Sequence, residues 1–210
     1  MDTFAAAARE LAELSHNFYA RGWVLGTSGN FSTVLSRDPL RVAITPSGVD
    51  KGALAANEIL LIDDRGEIVS GHAAKPSDET LLHLMIAIHR PAGAVLHTHS
   101  VWSTSLSNLH AADGGLTIEG FEMLKGLGGV STHQHHEWLP IIENSQDMSA
   151  LAEEMKITLD QQPKAHGVLL RGHGLYTWGQ DLREAKRHVE IFEFLLEAVG
   201  RTRMMKRAGS

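Results

Sequence analysis

Two histidines one residue apart, His97-Thr98-His99, close an apolar run from Gly93 that reads as a buried strand. Alternate residues of a strand project from one face, so both imidazoles can converge on one ion. A bare pair of this kind is as readily two histidines that end a strand. His173 tips the balance toward metal. It stands in Arg171-Gly172-His173-Gly174, directly after the apolar Val168-Leu169-Leu170, and its flanking glycines permit close approach and unusual dihedrals. Three imidazoles with an open position are a common form of catalytic zinc site. The chain has 13 histidines and no cysteine. Disulfides, thiolate sites and a Cys nucleophile are therefore excluded, and a transition-metal site must be imidazole and carboxylate.

Three hydroxyl-bearing segments could hold an anion. Gly26-Thr27-Ser28-Gly29-Asn30 can turn several N–H groups toward one, with Thr27 and Ser28 as further donors. Thr45-Pro46-Ser47-Gly48 is a parallel loop with Lys51 just beyond, and Ser77 reads as the N-cap of a helix, where the dipole favours an anion. Each is otherwise a turn or a cap, and together they would make a phosphate pocket. Candidate acid–base groups are Glu79, Glu119 and Glu122; the first equally suits offsetting a helix dipole, and the others equally read as surface charges. His133-Gln134-His135-His136 lacks flanking strands and reads as a polar loop with adventitious metal affinity. No Gly-x-Ser-x-Gly elbow and no Gly-x-Gly-x-x-Gly after a strand are present, which argues against a serine hydrolase and a nicotinamide enzyme.

The elements that must position these residues follow from periodicity. Phe4, Ala8, Leu11, Leu14 and Phe18 predict a helix ending near Gly22. Strands are predicted at 30–35, 40–45 and 58–62, and Asp63-Asp64-Arg65-Gly66 turns the last into a hairpin with 67–69. A helix from Ser77 should stop before Pro91, with the 93–99 strand and a short 101–108 helix after it. Residues 111–137 give no clear pattern. Strands at 138–142, 167–171 and 175–178 and helices at 147–160 and from Asp181 complete the series. Short links between interleaved elements favour an α/β fold with a mixed, mostly antiparallel sheet covered by helices. No linker or repeat divides the 210 residues, so one domain is expected, with 201–210 a solvated or frayed tail. The formal charge is -6, which gives no general pull on nucleic acid or anionic membrane. Met1-Asp2-Thr3-Phe4 lacks a basic leader and no apolar run approaches bilayer length, so a cytoplasmic location is expected.

Taken together, the Gly26–Asn30 loop, Thr45-Pro46-Ser47-Gly48, Pro76-Ser77-Asp78-Glu79, His97-Thr98-His99 and Gly172-His173-Gly174 resemble the class II aldolase/adducin family over about residues 8–198. Tyr19–Trp23, His97–Ser100, Glu122–Gly126, Pro140–Asn144 and Gly172–Gly179 are similar to its dehydratase branch. The resemblance implies a three-layer αβα domain around a central, mostly antiparallel sheet, assembled as a tetramer with sites near subunit contacts. It implies Zn2+, one per subunit, on His97, His99 and His173. It implies phosphate held by Thr27, Ser28, Gly29, Asn30, Thr45, Ser47, Gly48 and Ser77. Glu122 is the implied acid–base group of the dehydratase branch, while the aldolase branch places its carboxylate at Glu79. The implied reaction is dehydration of a methylthio-bearing ketose phosphate in methionine salvage. Sugar-phosphate aldol cleavage or 4-epimerisation, or an adducin-like module without catalysis, are the alternatives.

Overall fold

The computed structural model describes residues 3–70, 75–90 and 92–209. Met1 and Asp2 of the leader argument, the expected helix stop Pro91, and Ser210 lie outside the described residues. Among the described residues nine strands form one sheet in the order β4-β3-β2-β1-β5-β9-β8-β7-β6. In chain order they are β1 (Asn30–Arg37), β2 (Leu40–Ile44), β3 (Leu60–Ile62), β4 (Ile68–Ser70), β5 (Ala94–Thr98), β6 (Gly115–Ile118), β7 (Glu137–Ile142), β8 (Gly167–Leu170) and β9 (Gly174–Gly179). β7 and β8 pair in parallel, and the other neighbouring strands among the described residues pair antiparallel.

Alternation along β5 assigns the helices to faces. Ala94 and Leu96 pack with α1 (Thr3–Ala20) and the start of α5 (Leu182–Ala208). Val95 points the other way, into a core shared with α2 (Thr80–His89) and α4 (Met148–Gln161). Further along α5, Ile191, Phe192 and Leu195 cover β7–β9 beside α3 (Val101–Leu109). The result is the expected αβα layering. By the same alternation His97 shares the α2 face and Thr98 faces α5, where its hydroxyl donates to Glu193 Oε1 at 2.7 Å. At the β5–β9 seam a Cβ on Gly174 would stand 2.0 Å from the Thr98 carbonyl oxygen, so only glycine lets the two strands close there.

Several element ends differ from the sequence reading. Ser77 is not the cap of α2: Glu79 occupies that position, and the chain first makes a turn in which Thr80 N–H donates to the Ser77 carbonyl at 2.9 Å. Asp147 and Asp181 do cap α4 and α5, accepting N–H bonds with their carboxylates. β6 emerges within the unpatterned 111–137 stretch. The basic tail is not frayed: α5 continues through it to Ala208, with Trp102 seated against Gly200 and Arg201 paired with Glu197 one turn earlier. Among the described residues no helix is long and apolar enough to cross a membrane.

Burial pushes the Glu193 carboxyl up to about 7, against the opposing bonds from Ser100 and Thr98. A carboxyl whose folded value is raised binds more protons in the native state than in the unfolded one, so the contribution of Glu193 to stability falls as pH rises from about 5 to about 8. The buried neutral histidines act in the opposite sense over the lower part of that range, so the effect is read as a difference: the wild type should lose melting temperature relative to Glu193→Gln as pH rises. Parallel melting profiles for the two proteins would exclude the assignment.

Candidate metal centre

β5 delivers His97 and, two residues on, His99 to one face; the tight turn after β8 delivers His173. That turn is pinned on both sides, because Gly172 N–H donates to Ser107 Oγ at 3.0 Å and Thr104 Oγ1 donates to the His173 carbonyl at 2.8 Å. The three Nε2 atoms form a triangle with edges of 2.7, 3.1 and 3.3 Å. Glu79 closes the group, with Oε1 at 3.3 Å from His173 Nε2 and 3.5 Å from His97 Nε2.

The ring orientations test whether a metal fits. His97 Nδ1 lies 3.0 Å from the Leu175 carbonyl, which can only accept, so Nδ1 carries the proton and Nε2 a bare lone pair. His173 Nδ1 is held by Asn144 Oδ1 at 3.2 Å in the same sense. Two bare nitrogens 3.3 Å apart repel unless a positive centre lies between them. Tetrahedral bonds of about 2.0–2.1 Å put donors about 3.3 Å apart, close to the two edges that His173 makes, while the His97–His99 edge of 2.7 Å is shorter. The donor set therefore fits a divalent transition metal, and the outer hydrogen bonds fix the ligating nitrogens.

Electrostatics agree. Burial, reinforced by the neighbouring rings, pushes His99 down to about 2 and His173 down to about 4, so both are neutral and ready to ligate. Burial would raise the Glu79 carboxyl, but the His97 and His173 rings and the Asn30 amide outweigh it and hold Glu79 well below the usual carboxylate range. Asn30 Nδ2 donates to Glu79 Oε2 at 2.6 Å and reaches Ser77 Oγ at 3.4 Å. Tyr176, fully buried, stacks on the His97 ring with centroids 3.9 Å apart.

The three hydroxyl loops meet beside this group. Ser47 N–H donates to the Lys75 carbonyl at 3.0 Å, and Lys51 Nζ donates to the Val49 carbonyl at 3.1 Å and reaches that of Thr27 at 3.4 Å. Thr27, Ser47 and Gly48 are exposed, and Ser28 and Ser77 half-buried, so they can face a ligand. Gly29 is confined: at φ 71° a Cβ would stand 2.7 Å from the His97 carbonyl oxygen, so the loop is laid directly on the metal-ligand strand. Thr45 has a task within the fold, its buried hydroxyl accepting from Phe31 N–H at 3.1 Å. Lys51 is more central than its sequence position suggests. Its residue is 1% exposed, and burial lowers its pKa against the pull of Asp50 and Glu79.

Glu122 is not brought to the cluster of its own chain. Its side chain is 70% exposed and pairs with Lys125 at 2.6 Å and His133 at 3.6 Å. Glu119 pairs with His136 at 2.7 Å on the same loop. A second grouping, His135, Glu137 and His166, lies at the other end of the strands. There His166 donates from Nε2 to the Gly128 carbonyl and from Nδ1 to Glu137, so it is an imidazolium paired with a carboxylate. Sequence reasoning missed this pair as well as Tyr176 and His83; a polar residue at an apolar helix or strand position was the available signal.

The chain belongs to the class II aldolase and adducin N-terminal domain family, whose pattern matches residues 9–199. It is 42% identical over 205 residues, 97% of both chains, to the methylthioribulose-1-phosphate dehydratase of Marinobacter nauticus. To the methylthioribulose-1-phosphate dehydratase of Pseudomonas savastanoi pv. phaseolicola it is 45% identical over 189 residues, 90% of this chain and 91% of that one. The structure of YgbL from Klebsiella pneumoniae superposes with a TM-score of 0.79 at 26% identity, covering 96% of this chain and 91% of the other.

Stripping divalent cations with a chelator is expected to lower the melting temperature, and cobalt(II) added back should give the intense visible bands of a tetrahedral site. His99→Ala should lose both responses. Indifference to chelator, or cobalt bands retained in the variant, would contradict the assignment.

Proposed function

We propose that this protein is a hydro-lyase that removes water from 5-methylthioribulose 1-phosphate, giving 5-methylthio-2,3-diketopentyl phosphate in methionine salvage, with zinc as its metal. The substrate is taken from the dehydratase relatives. The chemistry rests on one observation: an ionised carboxylate, Glu79, stands 3.3 Å from a triangle of imidazole nitrogens. A zinc ion on His97, His99 and His173 supplies Lewis acidity to the substrate carbonyl next to the proton that must leave.

The chain's own groups do the rest. Thr27, Ser28, Ser47 and Ser77 hold the phosphate, with backbone N–H groups at Gly29 and Gly48 and the nearby Lys51 charge assisting. That anchoring turns the C3 hydrogen toward Glu79 Oε1. Glu79 takes the C3 proton, the C3–H electron pair forms the C3–C4 double bond, and the C4 hydroxyl departs with a proton as water. The enol left at C3 ketonises, its hydroxyl proton leaving and a proton returning at C4. Glu122 is the second carboxylate, and its exposure on a surface loop supports a role in the site of an adjacent copy within a homotetramer. Aldol cleavage is the second reading, favoured by the same position of Glu79; it would break C3–C4 and release an aldehyde.

Zinc-loaded wild type should convert 5-methylthioribulose 1-phosphate to the diketone without aldehyde, and Glu79→Gln and Glu122→Gln should each lose about 100-fold or more in kcat while retaining zinc. Aldehyde release would move the assignment to the aldolases. Mixed oligomers reassembled from equal amounts of the two variants should recover about one quarter of wild-type activity, because that share of sites draws an intact Glu79 and an intact Glu122 from different copies. No recovery on mixing would place both glutamates in one chain's site.

A further inference from the structure

Behind Glu79 runs a chain of buried polar groups, Asn30, His83 and Ser32. Glu79 Oε2 accepts from Asn30 Nδ2, Asn30 Oδ1 faces His83 Nε2, and His83 Nδ1 lies 2.7 Å from Ser32 Oγ. Asn30 and Ser32 come from β1 and His83 from the middle of α2. His83 is 1% exposed, between the sheet and an otherwise apolar helix face, with the Tyr176 ring edge-on at 5.9 Å. A titratable side chain so deep in a core needs both ring nitrogens satisfied, and here both are.

The direction of every bond in this chain is fixed from one end. Asn30 presents its NH2 to Glu79 Oε2 at 2.6 Å and reaches Ser77 Oγ at 3.4 Å with the same group. Its carbonyl oxygen then points at His83 and requires a donor, so His83 carries its proton on Nε2. Nδ1 is therefore bare, and the Ser32 hydroxyl donates to it at 2.7 Å in preference to the Val95 carbonyl at 3.4 Å. Read from the other end, a His83 protonated on Nδ1 would invite the Asn30 amide to turn. The turned amide would set its oxygen against the Glu79 carboxylate. Burial keeps His83 neutral, down at about 3, so it remains a single-donor, single-acceptor link.

We propose that His83 is a positioning residue: acting through Asn30, it locks Glu79 Oε2 in a hydrogen bond and leaves Oε1 as the oxygen that receives the substrate proton. The inference rests on the reading of Glu79 as the proton-transfer group. Because Asn30 Nδ2 also reaches Ser77 Oγ, the same amide ties the carboxylate to the phosphate pocket, so the anchored end of the substrate and the base are held in one frame.

The test compares His83→Leu, His83→Gln and Ser32→Ala in zinc-loaded protein with 5-methylthioribulose 1-phosphate. His83→Leu should lower kcat about 10- to 100-fold, as loss of a group orienting the working side chain does elsewhere, with KM within about twofold and zinc content unchanged. His83→Gln, whose amide N–H can still donate to Asn30 Oδ1, should return to within several-fold of wild type. Ser32→Ala should fall between them. Equal losses in the Leu and Gln variants, or a loss carried by KM or by zinc, would overturn the inference. Nitrogen-15 spectra of labelled wild type, with His83 assigned by its absence in His83→Gln, should show a pyrrole-type Nε2 and a pyridine-type Nδ1. The opposite tautomer overturns the inference even if a variant does not fold. Glu79→Gln separates the two levels. If it turns over like wild type, the reading of Glu79 fails; if it is inactive and His83→Leu is not, only the positioning role fails.

Discussion

Three imidazole lone pairs must point at one place and stay there with no proton among them. Left alone, nitrogens at 2.7–3.3 Å would repel or rotate away, so every neighbouring element is arranged to forbid that. The Leu175 carbonyl takes the His97 proton on the far side of the ring, Asn144 does the same for His173, and Tyr176 lies flat on His97. Because Leu175 and Tyr176 belong to β9, the strand that pairs with β5, the sheet itself aims the ring. Gly174 is what allows the two strands to close at that point.

The two faces of β5 divide the labour. On the α2 face, His97 and His99 meet the carboxylate of Glu79; on the α5 face, Thr98 is gripped by Glu193. A strand held from behind by a buried carboxyl cannot slide, which matters when a displacement of one residue would turn both ligands into the opposite core. Charges are distributed with equal care. Burial keeps His99 and His173 neutral, Glu79 is held well below the usual carboxylate range, and Lys51 lies within its field beside the hydroxyl loops. The imidazole cluster and the hydroxyl loops are thus in contact through Asn30, which reaches both Glu79 and Ser77.

Much of this was legible in the sequence. A period of two over an apolar run placed His97 and His99 on one face, and flanking glycines marked His173 as a residue in a special turn. The hydroxyl loops were recognisable as loops, and the order of strands and helices predicted the layered sheet. What escaped was whatever depended on distant partners. Ser77 carried every local mark of a helix cap, yet its hydroxyl contacts Asn30 and the helix starts three residues later. His83 sits in an apolar helix with no motif around it, and only the β1 strand passing beneath gives it a role. β6 was hidden because its four residues, Gly115–Ile118, carry little alternation of their own and are held by pairing with β7. Glu122 shows the limit most clearly, since its segment resembles the dehydratase branch while the fold leaves its side chain on a surface loop beside Lys125 and His133.

X-ray absorption at the zinc edge of the loaded protein tests the convergence of the three imidazoles most directly. Three nitrogen scatterers at about 2.0–2.1 Å with the outer-shell pattern of imidazole rings, plus oxygen completing the shell, are expected, and His173→Ala should leave two. An oxygen-only shell, or a nitrogen count unchanged in that variant, would show that the metal is bound elsewhere and that this cluster is not the centre of the protein's chemistry.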